Sequence, residues 1–137
     1  MSAPSQPRTG VSVLLTCPDL DPGVVARMFV RDEPWGLFVT SDGGTADLRT
    51  LQLLHSLGRL FGIEEVVVLQ HTNCPAVART ALGTALDEHW VDLGAEETGL
   101  RLADTLGAIR ARLQLGDPDR VSGFVYDQAC DELIAWS

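Results

Sequence analysis

Two short apolar runs, Val11-Ser12-Val13-Leu14-Leu15-Thr16 and Glu65-Val66-Val67-Val68-Leu69-Gln70, constrain this chain most. Each is too short for a buried helix and rich in the branched residues that suit a pleated surface, so both read as interior strands. Each gives way at once to side chains that bind metal ions. Cys17-Pro18-Asp19 follows the first run, and His71-Thr72-Asn73-Cys74 follows the second. In an open α/β sheet, ligand sites form at the carboxyl ends of parallel strands. The pattern therefore puts candidate ligands where such a site would lie. Two thiolates, one imidazole and one carboxylate have the number and softness that tetrahedral zinc prefers. The expected metal ligands are Cys17, Asp19, His71 and Cys74, and the expected cofactor is Zn2+.

Strand and helix signals alternate along the rest of the chain. Pro22-Gly23 opens an amphipathic stretch with Val24, Val25, Met28 and Phe29 at helical spacing. Gly36 to Thr40 reads as a second strand, bounded by Pro34 and by Ser41-Asp42-Gly43-Gly44. The strongest helix is predicted from Thr45 to Phe61, with Leu48, Leu51, Leu54, Leu57 and Phe61 as its apolar stripe and Gly62 as its stop. A helix from Pro75 to His89 is expected after the second motif, with proline in its first turn. Asp92 to Thr98 reads as a loop, and Leu100 to Leu115 as a helix carrying Leu102, Leu106, Ile109 and Leu113. Gly116-Asp117-Pro118-Asp119 breaks that helix, and Val121–Tyr126 and Leu133–Trp136 read as strands joined by an acidic turn. The expected fold class is a single α/β domain with a mainly parallel central sheet flanked by helices and a C-terminal edge strand pair. Residues 1–10 read as a flexible tail and 11–137 as the domain.

Composition narrows the function classes. Net charge is −9, and all ten basic residues are arginine. Nucleic acid and anionic membranes need clustered positive charge, so neither is an expected partner. With no lysine in the chain, Schiff-base and amine-nucleophile chemistry is excluded. No apolar run approaches a membrane span, and residues 1–10 lack the apolar centre of a secretory signal, so a cytoplasmic location is expected. Three cysteines in such a chain point to metal binding rather than disulfides for Cys17 and Cys74. Cys130 lies away from both motifs and reads as a partly buried free thiol. His55 and His89 fall in or at the ends of helices and read as surface or core residues. Trp35, Trp90 and Trp136 read as filling the core or an interface.

Cys17-x-Asp19 with His71-x-x-Cys74 resembles the zinc ligand set of the β-class carbonic anhydrases. The likeness extends over residues 11 to 136. Phe38-Val39-Thr40-Ser41-Asp42-Gly43-Gly44 sits where that family has Val-x-Arg-Asn-Ala-Gly, and Arg49-Thr50-Leu51 resembles its Arg-Ser-Leu helix start. His71-Thr72-Asn73-Cys74 resembles its His-Thr-Asp-Cys turn, and Gly123 to Asp127 its Gly-x-x-Tyr-Asp strand. The resemblance implies a zinc lyase that reversibly hydrates CO2 to bicarbonate by zinc-bound hydroxide. It implies that Cys17, His71 and Cys74 bind zinc. It also implies that Asp19 is either a fourth ligand or the catalytic carboxylate that orients the hydroxide. Asp47 and Arg49 resemble positions that pair near the site, and an exposed helix-start ion pair would look the same.

The chain departs from the family at Asp21, which stands where the family has an arginine that pairs with the aspartate. A like charge there disfavours an ionised Asp19 off the metal, so Asp19 is expected to stay on zinc. Arg27, Arg31 and Arg49 are candidate replacements. Thr40-Ser41-Asp42-Gly43 and Cys74-Pro75 depart as well. Three activities stay open: CO2 hydration, a closed structural zinc site in a binding or regulatory protein, and a zinc hydrolase or lyase for another small substrate. The residues before Cys17 contain Pro4, Pro7 and Gly10, which disfavours the helical arm usual in the family. A homodimer or higher homo-oligomer, formed through sheet edges or helices, is the expected assembly.

Overall fold

The computed structural model describes residues 10–20, 23–25, 36–41, 44–72 and 94–136. Among the described residues are five strands, β1 (Val11–Thr16), β2 (Leu37–Thr40), β3 (Ile63–His71), β4 (Val121–Asp127) and β5 (Glu132–Trp136). They form one sheet in the order β2-β1-β3-β4-β5. The first four strands are parallel and β5 returns antiparallel beside β4. This is the expected α/β architecture, with the C-terminal pair at one edge. The predicted Pro75–His89 helix lies outside the described residues, as do Cys74, Asp21, Asp42, Gly43, Arg27, Arg31, His89, Trp35, Trp90 and the segment 1–9.

β1 has strands on both sides and is buried from Ser12 onward, which accounts for its unbroken apolar sequence. Alternate residues divide between two cores. Val13, Leu15, Val66, Val68, Val121 and Val125 face one side with Leu54, Leu102, Leu106 and Ile109. Leu14, Val67, Leu69 and Tyr126 face the other with Leu20 and Val25. Residues 23–25 are helical, as the Pro22-Gly23 start predicts.

Helices α1 (Leu48–Phe61) and α2 (Ala95–Leu113) supply the first core's outer layer. α1 begins three residues later than predicted. Asp47 is its N-cap, the carboxylate accepting from Thr50 N–H at 2.8 Å, and the Thr45 carbonyl is taken by the Ser41 hydroxyl at 2.7 Å. Gly62 ends α1 at φ 71°, where its N–H reaches the Gly58 carbonyl at 3.0 Å. Only the middle of the predicted stripe packs. Leu54 is buried and Leu51 and Leu57 are partly so, whereas Leu48 and Phe61 are exposed because the helix ends project past the packed stretch.

Two expectations fail at α2 and β3. The segment predicted as a loop up to Thr98 is helical from Ala95, because Glu96 and Glu97 lie in a first turn where the helix dipole favours negative charge. β3 starts at Ile63, two residues before the run, because Val11 pairs with Ile63, the Val11 N–H donates to the Gly62 carbonyl at 3.0 Å and the Ile63 side chain is buried. The break after α2 contains a 3-10 turn, Pro118–Arg120, capped by the Asp117 carboxylate on Asp119 N–H at 2.9 Å. Trp136 packs on the first core as expected. Its indole fills the space beside Gly99, where an added Cβ would stand 2.2 Å from the ring.

Candidate metal centre

β1 and β3 are parallel neighbours, with Thr16 paired to Leu69, so their carboxyl ends lie side by side. Cys17 is the first residue past β1 and His71 the last of β3. The sheet thus brings two of the four expected ligands to one end of adjacent strands. Cys17 is 0% exposed and His71 3%. Leu20 N–H donates to the Cys17 carbonyl at 3.1 Å, which closes a turn carrying Pro18 and Asp19. Asp19 is exposed on that turn, and its charge acts on His71, tending to raise the imidazole pKa. Burial outweighs this attraction and the Thr72 carbonyl contact, leaving the His71 pKa lowered from 6.5. The imidazole is therefore neutral near pH 7, the form that binds metal.

Among the described residues, the ring has a partner at one end only. Its Nδ1 lies 3.1 Å from the Thr72 carbonyl oxygen, which can only accept. Its Nε2 is buried and has no hydrogen-bond partner among the described residues. A buried polar atom without a partner costs about 1–3 kcal/mol, so one on a ligand-type side chain is an observation in favour of a bound group. The Thr16 hydroxyl, at the end of β1, is another buried polar atom without a hydrogen-bond partner among the described residues. No group of three or more His, Cys, Asp and Glu side chains arranged to hold a metal occurs among the described residues, and Cys74 lies outside them.

Sequence reasoning missed how this corner is braced. Gly44 sits at φ +68°, and an added Cβ there would lie 3.1 Å from the Leu69 carbonyl oxygen and 3.5 Å from Cys17 N. Glycine lets the loop after β2 close on the two strand ends. Gln70, buried on the α2 side, donates through Nε2 to the Gly44 carbonyl at 3.1 Å and to the Thr105 hydroxyl at 3.2 Å. The Thr105 hydroxyl in turn donates to the Arg101 carbonyl at 3.1 Å. A buried glutamine at the end of an apolar strand was the only sign of this brace in the sequence.

Beside the corner is a cleft of about 630 Å³, lined by Pro18, Thr40, Ser41, Asp47, Arg49, Thr50 and Leu53. Asp47 is occupied in capping α1, and Arg49, two residues on, also lines the cleft. His55 is exposed on α1, in line with a surface role. Cys130 is exposed rather than partly buried. It lies in the tight turn between β4 and β5, which projects beyond the core. A hydrogen bond with the Asp127 carboxylate pushes its pKa up to about 11.

No family model matches the chain, and no curated protein sequence matches it either. Solved structures do. A carbonic anhydrase from Streptococcus mutans aligns at 16% identity over 97% of this chain and 87% of its own, with a TM-score of 0.62. A β-carbonic anhydrase of Aspergillus fumigatus aligns at 16% identity over 100% and 94%, also with a TM-score of 0.62. Tetrameric β-carbonic anhydrases from Sordaria macrospora align at 11% identity over 94% and 81%, with a TM-score of 0.51. The chain has the fold of these β-carbonic anhydrases.

Proposed function

We propose that this chain, built on the β-carbonic anhydrase fold, is a zinc-dependent lyase that interconverts CO2 and bicarbonate. The observation that carries the reading is the Nε2 of a buried, neutral His71, without a partner among the described residues, at the strand end next to Cys17. These donors fit zinc by type: one imidazole whose Nε2 has no partner among the described residues, and one thiol shielded from solvent. Cys17, His71 and Cys74 would hold the ion. Zinc, when bound, supplies the Lewis acidity that makes water a nucleophile at neutral pH.

The chain's own residues would do the rest. Burial keeps the imidazole unprotonated, and the Thr72 carbonyl holds its Nδ1–H. Asp19, exposed on the turn after Cys17, has a carboxylate that can accept a hydrogen bond from the attacking water and orient it. Arg49 offers the cleft a positive charge for an anionic product in a chain whose net charge is −9.

A second reading has its own support. Asp19 is close enough to act electrostatically on His71, and Asp21 supplies no cation to draw it away. Asp19 would then complete the zinc shell, leaving a closed site in a binding or regulatory protein. The homo-oligomer belongs to the proposal too. β2 is an edge strand whose Phe38 is 61% exposed, and Leu53 and Leu60 are exposed on α1. Light scattering on the purified chain decides between monomer, dimer and tetramer.

The deciding experiment is stopped-flow CO2 hydration on protein of measured zinc content, at pH 7 and near pH 9. Zinc-dependent turnover, lost in Cys17→Ser and His71→Ala, is expected. Zinc at one per chain with a rate no better than buffer would favour the closed site. Well under one zinc per chain after chelator-free purification, with no loss of stability on adding chelator, would refute both readings.

A further inference from the structure

The carbonyl that orients the His71 ring belongs to a residue held on three sides, and we propose that Thr72 is the positioning residue that keeps the His71 Nε2 lone pair free for a metal. The part concerning metal affinity rests on the zinc reading above; the part concerning the ring does not. A neutral imidazole carries its proton on one nitrogen, and the hydrogen bond at one nitrogen decides the state of the other. The partner of His71 Nδ1, at 3.1 Å, is a carbonyl oxygen. Nδ1 must therefore carry the proton and Nε2 must be bare. Because the acceptor belongs to the adjacent residue, the ring is aimed only as well as that one peptide group is fixed.

Thr72 is fixed well. Its N–H donates to the Tyr126 carbonyl at 3.1 Å, continuing the β3–β4 ladder past the last paired strand residue. Its Oγ1 accepts from Gln128 N–H at 2.9 Å, tying the strand end to the turn between β4 and β5. That turn is braced in its own right. The Asp127 carboxylate accepts from Ala129 N–H at 3.0 Å, and the Tyr126 hydroxyl donates to the Asp131 carboxylate. Thr72 is 1% exposed, so bulk water does not compete for its hydroxyl. A β-branched residue also has few χ1 choices, which keeps the hydroxyl on Gln128. The chain of contacts runs from a surface turn through Gln128, Thr72 and its carbonyl to the His71 ring. Groups that orient a metal-binding histidine in this way typically govern affinity by about 10–100-fold.

Two substitutions separate the hydroxyl from the shape of the side chain. Thr72→Val keeps the branch and removes the acceptor, and Thr72→Ser keeps the acceptor and removes the methyl. In the full chain without metal, long-range 1H–15N NMR should show His71 with its proton on Nδ1. Thr72→Val should populate the Nε2–H form and weaken Zn2+ binding about 10-fold or more in a competition titration. Thr72→Ser should restore both, and thermal melts of the two variants report whether each is folded. A wild-type His71 protonated at Nε2 overturns the proposal whether or not either variant folds. So does a Thr72→Val chain with the wild-type tautomer and affinity, or a Thr72→Ser chain as impaired as Thr72→Val. If the wild type binds no zinc, the zinc reading fails, and the tautomer result alone decides the role of Thr72.

Discussion

Replacing Gly44 by alanine should cost more than the same change at Gly116, and the difference measures how tightly the loop after β2 is pressed on the candidate site. Both glycines have positive φ, +68° and +91°. An L residue in that region costs about 1–2 kcal/mol, and this applies to both. The smaller gain from stiffening the unfolded chain is also shared, so it cancels in the comparison. At Gly116 an added Cβ meets nothing within 4 Å. At Gly44 it would lie 3.1 Å from the Leu69 carbonyl oxygen and 3.3 Å from Gln70 Cγ. Leu69 is held in the β1–β3 ladder, so the loop must retreat instead. Retreat lengthens the 3.1 Å bond from Gln70 to the Gly44 carbonyl, worth about 1 kcal/mol net, and more if the buried carbonyl is left unpaired. The sum is about 2–4 kcal/mol for Gly44→Ala against about 1–2 for Gly116→Ala. For a chain of 137 residues each kcal/mol lowers Tm by about 3 °C. Circular-dichroism melts should therefore show a drop of about 6–12 °C at Gly44 and about half that at Gly116. Zinc stoichiometry should fall only in Gly44→Ala. Equal melts for the two variants would refute the argument, since the loop would then have room that the structure denies it.

Three further outcomes are expected. Asp47→Ala should lower stability by about 1 kcal/mol by urea denaturation, because it removes the acceptor of Thr50 N–H, and Asp47→Ser should recover most of it. The metal-free chain should lose stability as pH falls below about 6.5. The folded His71 pKa is depressed, so between that pKa and 6.5 the unfolded chain binds more protons; the contribution is complete above 6.5, and His71→Gln should flatten the profile. Iodoacetamide at pH 8, followed by peptide mass spectrometry, should label Cys130 slowly despite its exposure, and Asp127→Asn should speed the reaction by removing the carboxylate that holds the thiol protonated.

How far the local sequence marks the bounds of an element varies along the chain for physical reasons. β1 and the start of β4 matched because an apolar run flanked by turn residues carries its own boundaries. The bounds of α1 and α2 shifted by several residues where a single cap or first-turn carboxylate decided them. Glu96 and Glu97 look like loop residues by polarity, yet they stabilise a helix start through its dipole. The first two residues of β3 were hidden for a related reason: Ile63 and Glu64 belong to the strand because Val11, distant in sequence, pairs with Ile63.

The sequence by itself determined the ligand types, their position at strand ends and the alternation that makes a parallel sheet. These follow from residue chemistry and local periodicity, which a chain carries without knowing its partners. Tertiary structure decided that β1 and β3 are neighbours, that Gln70 reaches across to Thr105 and Gly44, and that Thr72 is held by Gln128. It also decided that the His71 Nε2 is buried without a partner among the described residues. Each of these depends on a hydrogen bond or strand pairing between residues far apart in the chain, or on burial imposed by both faces of the sheet. No local pattern encodes such pairings; they exist only once the chain has closed on itself.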